Sequence, residues 1–96
     1  MSLGEAQSEL RLAGSLTAES RLFLDYVPAE RSTRPYIARH LQYLEQTVQR
    51  HIRTLEQASP EPDAAATADQ CLTDLRQLSA ELANAQQQMK DAGGRS

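Results

Sequence analysis

The fold is decided by residues 36–58, which read YIARHLQYLEQTVQRHIRTLEQA. The large aliphatic residues of this segment are Ile37, Leu41, Leu44, Val48, Ile52 and Leu55, spaced four, three, four, four and three residues apart. At about 100° per residue, all six fall within roughly 80° of one side of a helix. Such a narrow stripe is typical of a seam between helices rather than of a face laid on a broad core. We therefore expect this segment to pack against other helices.

The composition of the whole chain favours an all-α fold. The sequence has thirteen Leu, against only two Ile and two Val. Leu, Ala, Gln, Glu and Arg are strong helix formers, whereas strands are enriched in β-branched and aromatic residues. A chain of 96 residues is short enough to form one domain, which we assign to residues 1–92.

Two proline-containing joints divide the chain into three helical segments. Pro28 lies in the first joint, and Pro60 and Pro62 lie in the second. Proline is excluded from helix interiors and disfavours helical geometry in the residue before it. The predicted helices are residues 3–27, 34–58 and 64–90, followed by a flexible tail at residues 93–96. Gly14 and Ser15 interrupt the apolar side of the first segment, so we predict a break near residues 14–16. One helix with a shifted phase and two short helices both fit.

The joint between the second and third helices is short, which predicts an antiparallel helical hairpin. The third helix has its own apolar side, formed by Ala68, Cys71, Leu72, Leu75, Leu78, Leu82, Ala85 and Met89. We expect these residues to meet the stripe of the second helix. The first segment then closes a three-helix bundle, or packs in a coiled-coil-like arrangement on a second copy of the hairpin or on another protein.

Charge is unevenly distributed along the chain. The basic residues of segment 31–53 are Arg31, Arg34, Arg39, Arg50 and Arg53, against a single acid. Residues 1–30 have a net charge of −3, and residues 54–96 a net charge of −4. The basic middle segment can be neutralised by its acidic neighbours within the fold, which is the simpler interpretation. Alternatively, the five arginines form a docking face for an acidic partner or for nucleic acid.

A second set of candidate functional residues is aromatic or imidazole in character. The candidate partner-binding residues are Leu22, Phe23, Tyr26, Tyr36, His40, Tyr43 and His51. The first three belong to an apolar run just before Pro28, and the other four share one flank of the second helix. The run before Pro28 is expected to close the core; if exposed, it would anchor a partner as an aromatic hot spot.

The sequence contains no recognisable catalytic, metal or cofactor motif. His40 and His51 are eleven residues apart, which places them about 16 Å apart on a helix, too far to share a metal ion. Cys71 lies on an apolar helix side without a neighbouring base, so we expect it to be structural. No Gly-rich phosphate loop or Ser–His–Asp arrangement is present. We therefore expect a non-enzymatic protein without cofactors.

These patterns predict a small helical protein–protein interaction module. It would be an adaptor, a scaffold or a small subunit of a homo- or hetero-oligomeric helical complex. The alternative is a small regulator that binds nucleic acid through the arginine face. No apolar run reaches the ~18–20 residues that a membrane span needs, and the N-terminus does not resemble a signal peptide. We expect no membrane partner and a cytoplasmic location, with a nuclear one also open.

Overall fold

The chain forms three α-helices in the computed structural model, which describes residues 1–26 and 34–94. They are α1 (Leu3–Tyr26), α2 (Arg34–Gln57) and α3 (Ala65–Gly94). No strand occurs in these described residues, so the predicted all-α class is confirmed. The predicted bounds of the second helix differ from those of α2 by one residue, because the joint prolines and Arg34-Pro35 mark its ends well.

α2 and α3 form the predicted antiparallel hairpin. Residue numbers rise on one helix as they fall on the other: the Gln49 amide donates to the Ser79 hydroxyl at 2.7 Å, and Glu56 pairs with Arg76 at 3.1 Å. All six aliphatic residues of the α2 stripe are buried, as are Cys71, Leu75, Leu78 and Leu82 of α3. The two apolar sides therefore meet along one seam, as the leucine spacing predicts.

α1 closes the bundle by packing mainly on α3. It is antiparallel to α2, because Glu9 reaches His51 at 3.4 Å whereas Phe23 lies against His40. It is therefore parallel to α3, where Arg21 reaches Glu81 at 3.5 Å. The residues that α1 buries completely are small and seven residues apart: Ala6, Ala13 and Ser20. Small side chains in heptad positions allow two helix backbones to approach closely. The larger residues Leu10, Leu16, Phe23 and Leu24 are only partly buried against the core.

The predicted break near residues 14–16 is wrong, because α1 is continuous from Leu3 to Tyr26. A glycine inside a helix costs about 1 kcal/mol relative to alanine, which is too little to interrupt a helix that packs along its length. A methyl group added at Gly14 would touch nothing within 4 Å, so the close approach of α1 does not require this glycine. α1 also begins with an N-cap, in which the Ser2 hydroxyl accepts from the Glu5 backbone N–H at 3.2 Å and donates to the Glu5 carboxylate at 3.1 Å.

The end of α3 differs from the prediction as well. The helix includes Gly93 and Gly94 rather than ending near Lys90, so the predicted tail at residues 93–96 belongs in part to α3. Residues 95–96 lie outside the described residues, as do residues 27–33 with the predicted first joint and Arg31. The second joint is tied to the beginning of the chain, because the Glu61 backbone N–H donates to the Met1 carbonyl at 2.9 Å.

Candidate functional site: the aromatic cluster and the outer side of α2

Four rings from two helices meet on the outside of the bundle, and we call them the aromatic cluster: Phe23, Tyr36, His40 and Tyr43. His40 is at the centre. Its ring centroid lies 4.3 Å from that of Phe23 in an edge-on arrangement, 6.2 Å from Tyr36 and 6.1 Å from Tyr43. Residues four and three apart are neighbours on a helix surface, so α2 itself aligns the three rings that it contributes. Phe23 of α1 joins them because α1 runs antiparallel alongside α2.

The aromatic cluster is only half-covered. Tyr36 and Tyr43 remain 55% and 57% exposed, whereas Phe23 and His40 are partly buried beneath them. Two further large apolar side chains are exposed on α1, Leu22 at 74% and Leu12 at 52%. Leu12 was not predicted as a site residue, although it precedes Phe23 by eleven residues, or three helical turns, and so shares its side of α1. A helical projection of α1 would have found it.

The structure separates His51 from the other predicted partner-binding residues. His51 lies about three turns beyond His40 on α2, and its Nδ1 atom is 3.4 Å from Oε2 of Glu9 on α1. This contact links α1 and α2, the two helices that pack least extensively on each other. The side chain of Tyr26 lies outside the described residues. Of the predicted partner-binding residues, the structure therefore brings together Phe23, Tyr36, His40 and Tyr43. Leu22 directly precedes Phe23 in the sequence.

Cys71 lies in the core, close to the contact between Glu9 and His51. Burial raises the pKa of the Cys71 thiol to about 11, and the nearby carboxylates of Glu9 and Asp74 contribute to the increase. The thiolate is the nucleophilic form of cysteine, so a thiol with this pKa is unreactive at neutral pH. The environment of Cys71 is that of a packed core residue.

Three arginines of α2 form no ion pair with an acidic residue in the described part of the chain. The side chains of Arg39, Arg50 and Arg53 are exposed, and none lies within ion-pair distance of a described carboxylate. Arg21 and Arg76, by contrast, pair with Glu81 and Glu56 across helix interfaces. Neutralisation within the fold, the simpler of the two sequence interpretations, is therefore not seen at these three arginines. Arg31 and the side chain of Arg34 lie outside the described residues.

An open groove of about 740 Å³ lies between α2 and the C-terminal half of α3. It is lined by Pro35, Ala38, Leu41, Gln42, Glu45, Gln46, Gln49, Arg53, Gln86, Met89 and Lys90. Its charged residues come from different levels of the two helices and do not converge on one point. Within residues 1–26 and 34–94, no three His, Cys, Asp or Glu side chains lie close enough together to hold a metal ion.

Comparison with known proteins adds no further assignment. The sequence matches no protein family, and no similar curated protein or solved structure is found. None of the helices in the described residues is long and apolar enough to cross a membrane.

Proposed function

We propose that this protein is a protein–protein interaction module that binds its partner by helix-to-helix packing, as an adaptor, scaffold or small subunit of a helical complex. The observation that carries the proposal is the aromatic cluster on the outside of the bundle. Tyrosine and other aromatic residues dominate the binding energy of protein interfaces, because each buries a large rigid surface at a low entropy cost. Here two tyrosines are half-exposed in a chain that has only four aromatic residues.

The contacts within the aromatic cluster support this proposal further. The rings of Tyr36 and Tyr43 each lie beside the ring of His40, and Phe23 of α1 contacts the ring of His40 edge-on. The two tyrosine rings are thus oriented before any partner arrives. A side chain that is already ordered loses less conformational entropy on binding, which leaves more of the contact energy for affinity.

The test is affinity purification of the tagged protein from its native cells, with wild type compared to the double variant Tyr36→Ser and Tyr43→Ser. We expect one or more proteins to co-purify with the wild type, and their recovery to fall roughly tenfold or more in the variant. The matched control is the double variant Ala83→Ser and Gln88→Ser, which changes two exposed residues of α3. Circular dichroism should show all three proteins folded. A co-purifying set that is the same for wild type and tyrosine variant would contradict the proposal.

Nucleic-acid binding is the second candidate function. Its support is the set of predicted arginines Arg31, Arg34, Arg39, Arg50 and Arg53, of which the three with described side chains form no ion pair with a described carboxylate. Three phosphate contacts would give a slope of roughly −2 to −3 for log affinity against log salt concentration. Binding to DNA and RNA oligonucleotides at low salt, with Arg50→Ala as the weakened variant, tests this candidate. Absence of binding at low salt removes it.

The proposed module is non-enzymatic, and we propose a cytoplasmic location for it. The support for this location is Cys71, which the fold keeps as a buried free thiol. Cytosolic proteins keep their cysteines reduced, whereas small secreted domains use them in disulfides. Fluorescence imaging of the tagged protein in its native cells tests the location, and export from the cell would contradict it.

A further inference from the structure

The aromatic and basic residues of α2 alternate along its outer side. We define the outward face of α2 as Tyr36, Arg39, Tyr43 and Arg50, which are all exposed. At about 100° per residue, these four residues fall within a sector of roughly 60° on the side opposite the buried stripe. Tyr36, Tyr43 and Arg50 repeat every seven residues, which is the spacing of a seam between helices. α2 therefore has a second, more polar row of residues with the spacing of a helix–helix seam, and nothing in the described chain covers it.

The charge of this outward face has one sign only. α2 contains two acidic residues, Glu45 and Glu56, and both lie towards α3. Glu56 pairs with Arg76 of α3, and Glu45 lines the groove between α2 and α3. Among the described residues, the guanidinium groups of Arg39 and Arg50 are thus left without a carboxylate within ion-pair distance. A surface with this pattern is complementary to a negatively charged helix.

We propose that the outward face of α2 binds an acidic amphipathic helix of a partner protein. The inference rests on the proposed function and names the chemistry of the partner. Tyr36 and Tyr43 pack on apolar residues of that helix, and the guanidinium groups of Arg39 and Arg50 donate to its carboxylates. The two arginines are about 16 Å apart along α2, so the matching acids lie about three helical turns apart. The outward face extends for about 21 Å from Tyr36 to Arg50, so a helical segment of ~14–18 residues covers it.

The spacing of the cations favours an acidic helix over nucleic acid. Neighbouring phosphates on one strand of DNA rise by only ~3.4 Å, whereas Arg39 and Arg50 are separated by about 16 Å with a tyrosine between them. Few phosphates could therefore be neutralised at once, and the whole chain has a net charge of −3, which opposes binding to a polyanion.

A second copy of this chain is a poor match for the same face. The exposed acids of α1 that form no described ion pair are Glu5, Glu19 and Asp25. Glu5 and Glu19 are about 21 Å apart along the helix, against about 16 Å between Arg39 and Arg50, and Asp25 lies about 120° around the axis from Glu19. On α3, the exposed acids Asp69 and Asp91 are about 33 Å apart, and Glu81 is engaged by Arg21. The described helices therefore present no pair of free acids on one side with the spacing of Arg39 and Arg50.

The inference is tested by site-specific photo-crosslinking with the full-length protein in its native cells. Tyr43 is replaced by the photo-crosslinking residue p-benzoylphenylalanine, and a control protein carries the same residue in place of the exposed Ala83 of α3. The crosslinked peptides are then sequenced by mass spectrometry. We expect position 43 to capture an acidic helical segment of one partner, and position 83 to capture none of it.

Charge reversal completes the experiment. Arg39→Glu and Arg50→Glu should each reduce the yield of the crosslinked peptide about tenfold, because each places like charges in contact. Arg11→Glu makes the same change in net charge on an exposed position of α1 and should leave the yield unchanged. Retention of the crosslink in both α2 variants would overturn the inference.

The remaining outcomes separate this inference from the proposed function. A crosslink from position 43 to a neutral or basic segment, to nucleic acid or to a second copy of the chain overturns the acidic-helix partner. Crosslinks at the exposed Leu12 position of α1 but not at position 43 also overturn it, while the interaction module stands. The absence of any protein crosslink from all three positions overturns both proposals.

Discussion

α2 and α1 both pack on α3, but they use different side chains to do so. α2 contributes six large aliphatic residues, all buried, whereas the fully buried residues of α1 are Ala6, Ala13 and Ser20. Burial of a large aliphatic side chain contributes ~1.5–3 kcal/mol, and that of a methyl group much less. The α2–α3 seam is therefore the main source of stability, and α1 is held by close backbone packing, partly buried side chains and a few polar contacts.

The substitution with the largest expected effect on stability is Leu44→Ala in the α2–α3 seam. Leu44 is completely buried, so the substitution should lower the free energy of unfolding by about 2–5 kcal/mol through lost burial and a residual cavity. Thermal or urea unfolding followed by circular dichroism measures the change. The matched control is Leu22→Ala on α1, at a side chain that is 74% exposed, and should change stability by less than about 0.5 kcal/mol. Equal losses for the two variants would mean that the seam is not the main source of stability.

A second substitution tests whether α1 can be displaced by itself. Ala13→Leu adds three carbons where α1 lies close to α3, and overpacking of this kind costs about 1–3 kcal/mol. The backbone amides of α1 should lose protection against hydrogen exchange, while those of α2 and α3 keep theirs. Cys71 should also become reactive towards thiol reagents, because in the wild type burial holds its pKa near 11. Ala18→Leu makes the same change at an exposed position of α1, and should have neither effect.

A smaller effect is expected at Ser20, which lies seven residues after Ala13 and so occupies the same heptad position. Its hydroxyl is buried and has no hydrogen-bond partner among the described residues. An unsatisfied buried hydroxyl costs about 1–3 kcal/mol, so Ser20→Ala should stabilise the protein by about 1 kcal/mol. Ala13→Ser introduces such a hydroxyl in the equivalent place and should destabilise the protein. If the melting temperature falls in both variants, the polar cost is not the controlling term at this interface.

The smallest effect concerns Gly14, where the sequence suggested a break. A methyl group at this position meets nothing within 4 Å, so Gly14→Ala should stabilise α1 by about 0.5–1 kcal/mol through helix propensity alone. Gly4→Ala is the comparison, because its added methyl group is also unobstructed but lies in the first turn, which frays. Chemical denaturation of the two variants side by side should rank Gly14→Ala above Gly4→Ala.

The same difference between α1 and α2 explains how much of the fold could be predicted. The α2 stripe is formed by large aliphatic residues at helical spacing, so its burial and its meeting with the leucines of α3 follow from periodicity. The packing of α1 depends on Ala6, Ala13 and Ser20, and small residues give almost no hydrophobic signal in a sequence. This is why the sequence left one continuous helix and two short helices both open and favoured a break near Gly14.

The candidate site was predictable only within one helix. The spacing of Tyr36, His40 and Tyr43 places them side by side, whatever the rest of the chain does. The addition of Phe23 and the pairing of Glu9 with His51 depend on the direction and register of α1, which the sequence does not specify. Whether Arg39 and Arg50 meet a carboxylate likewise depends on which helix sides face each other.

The parallel packing of α1 on α3 has a consequence during synthesis. A ribosome makes α1 first, but the helix against which α1 mainly packs ends 68 residues later, at Gly94. At roughly 5–20 residues per second, the nascent α1 waits about 3 to 14 seconds for α3 to be completed. During this interval the core-facing side of α1 is uncovered, and Ala6, Ala13 and Ser20 are exposed together with the larger Leu10, Leu16, Phe23 and Leu24. Parallel packing on the last helix therefore postpones the burial of these apolar side chains until α3 has been synthesised.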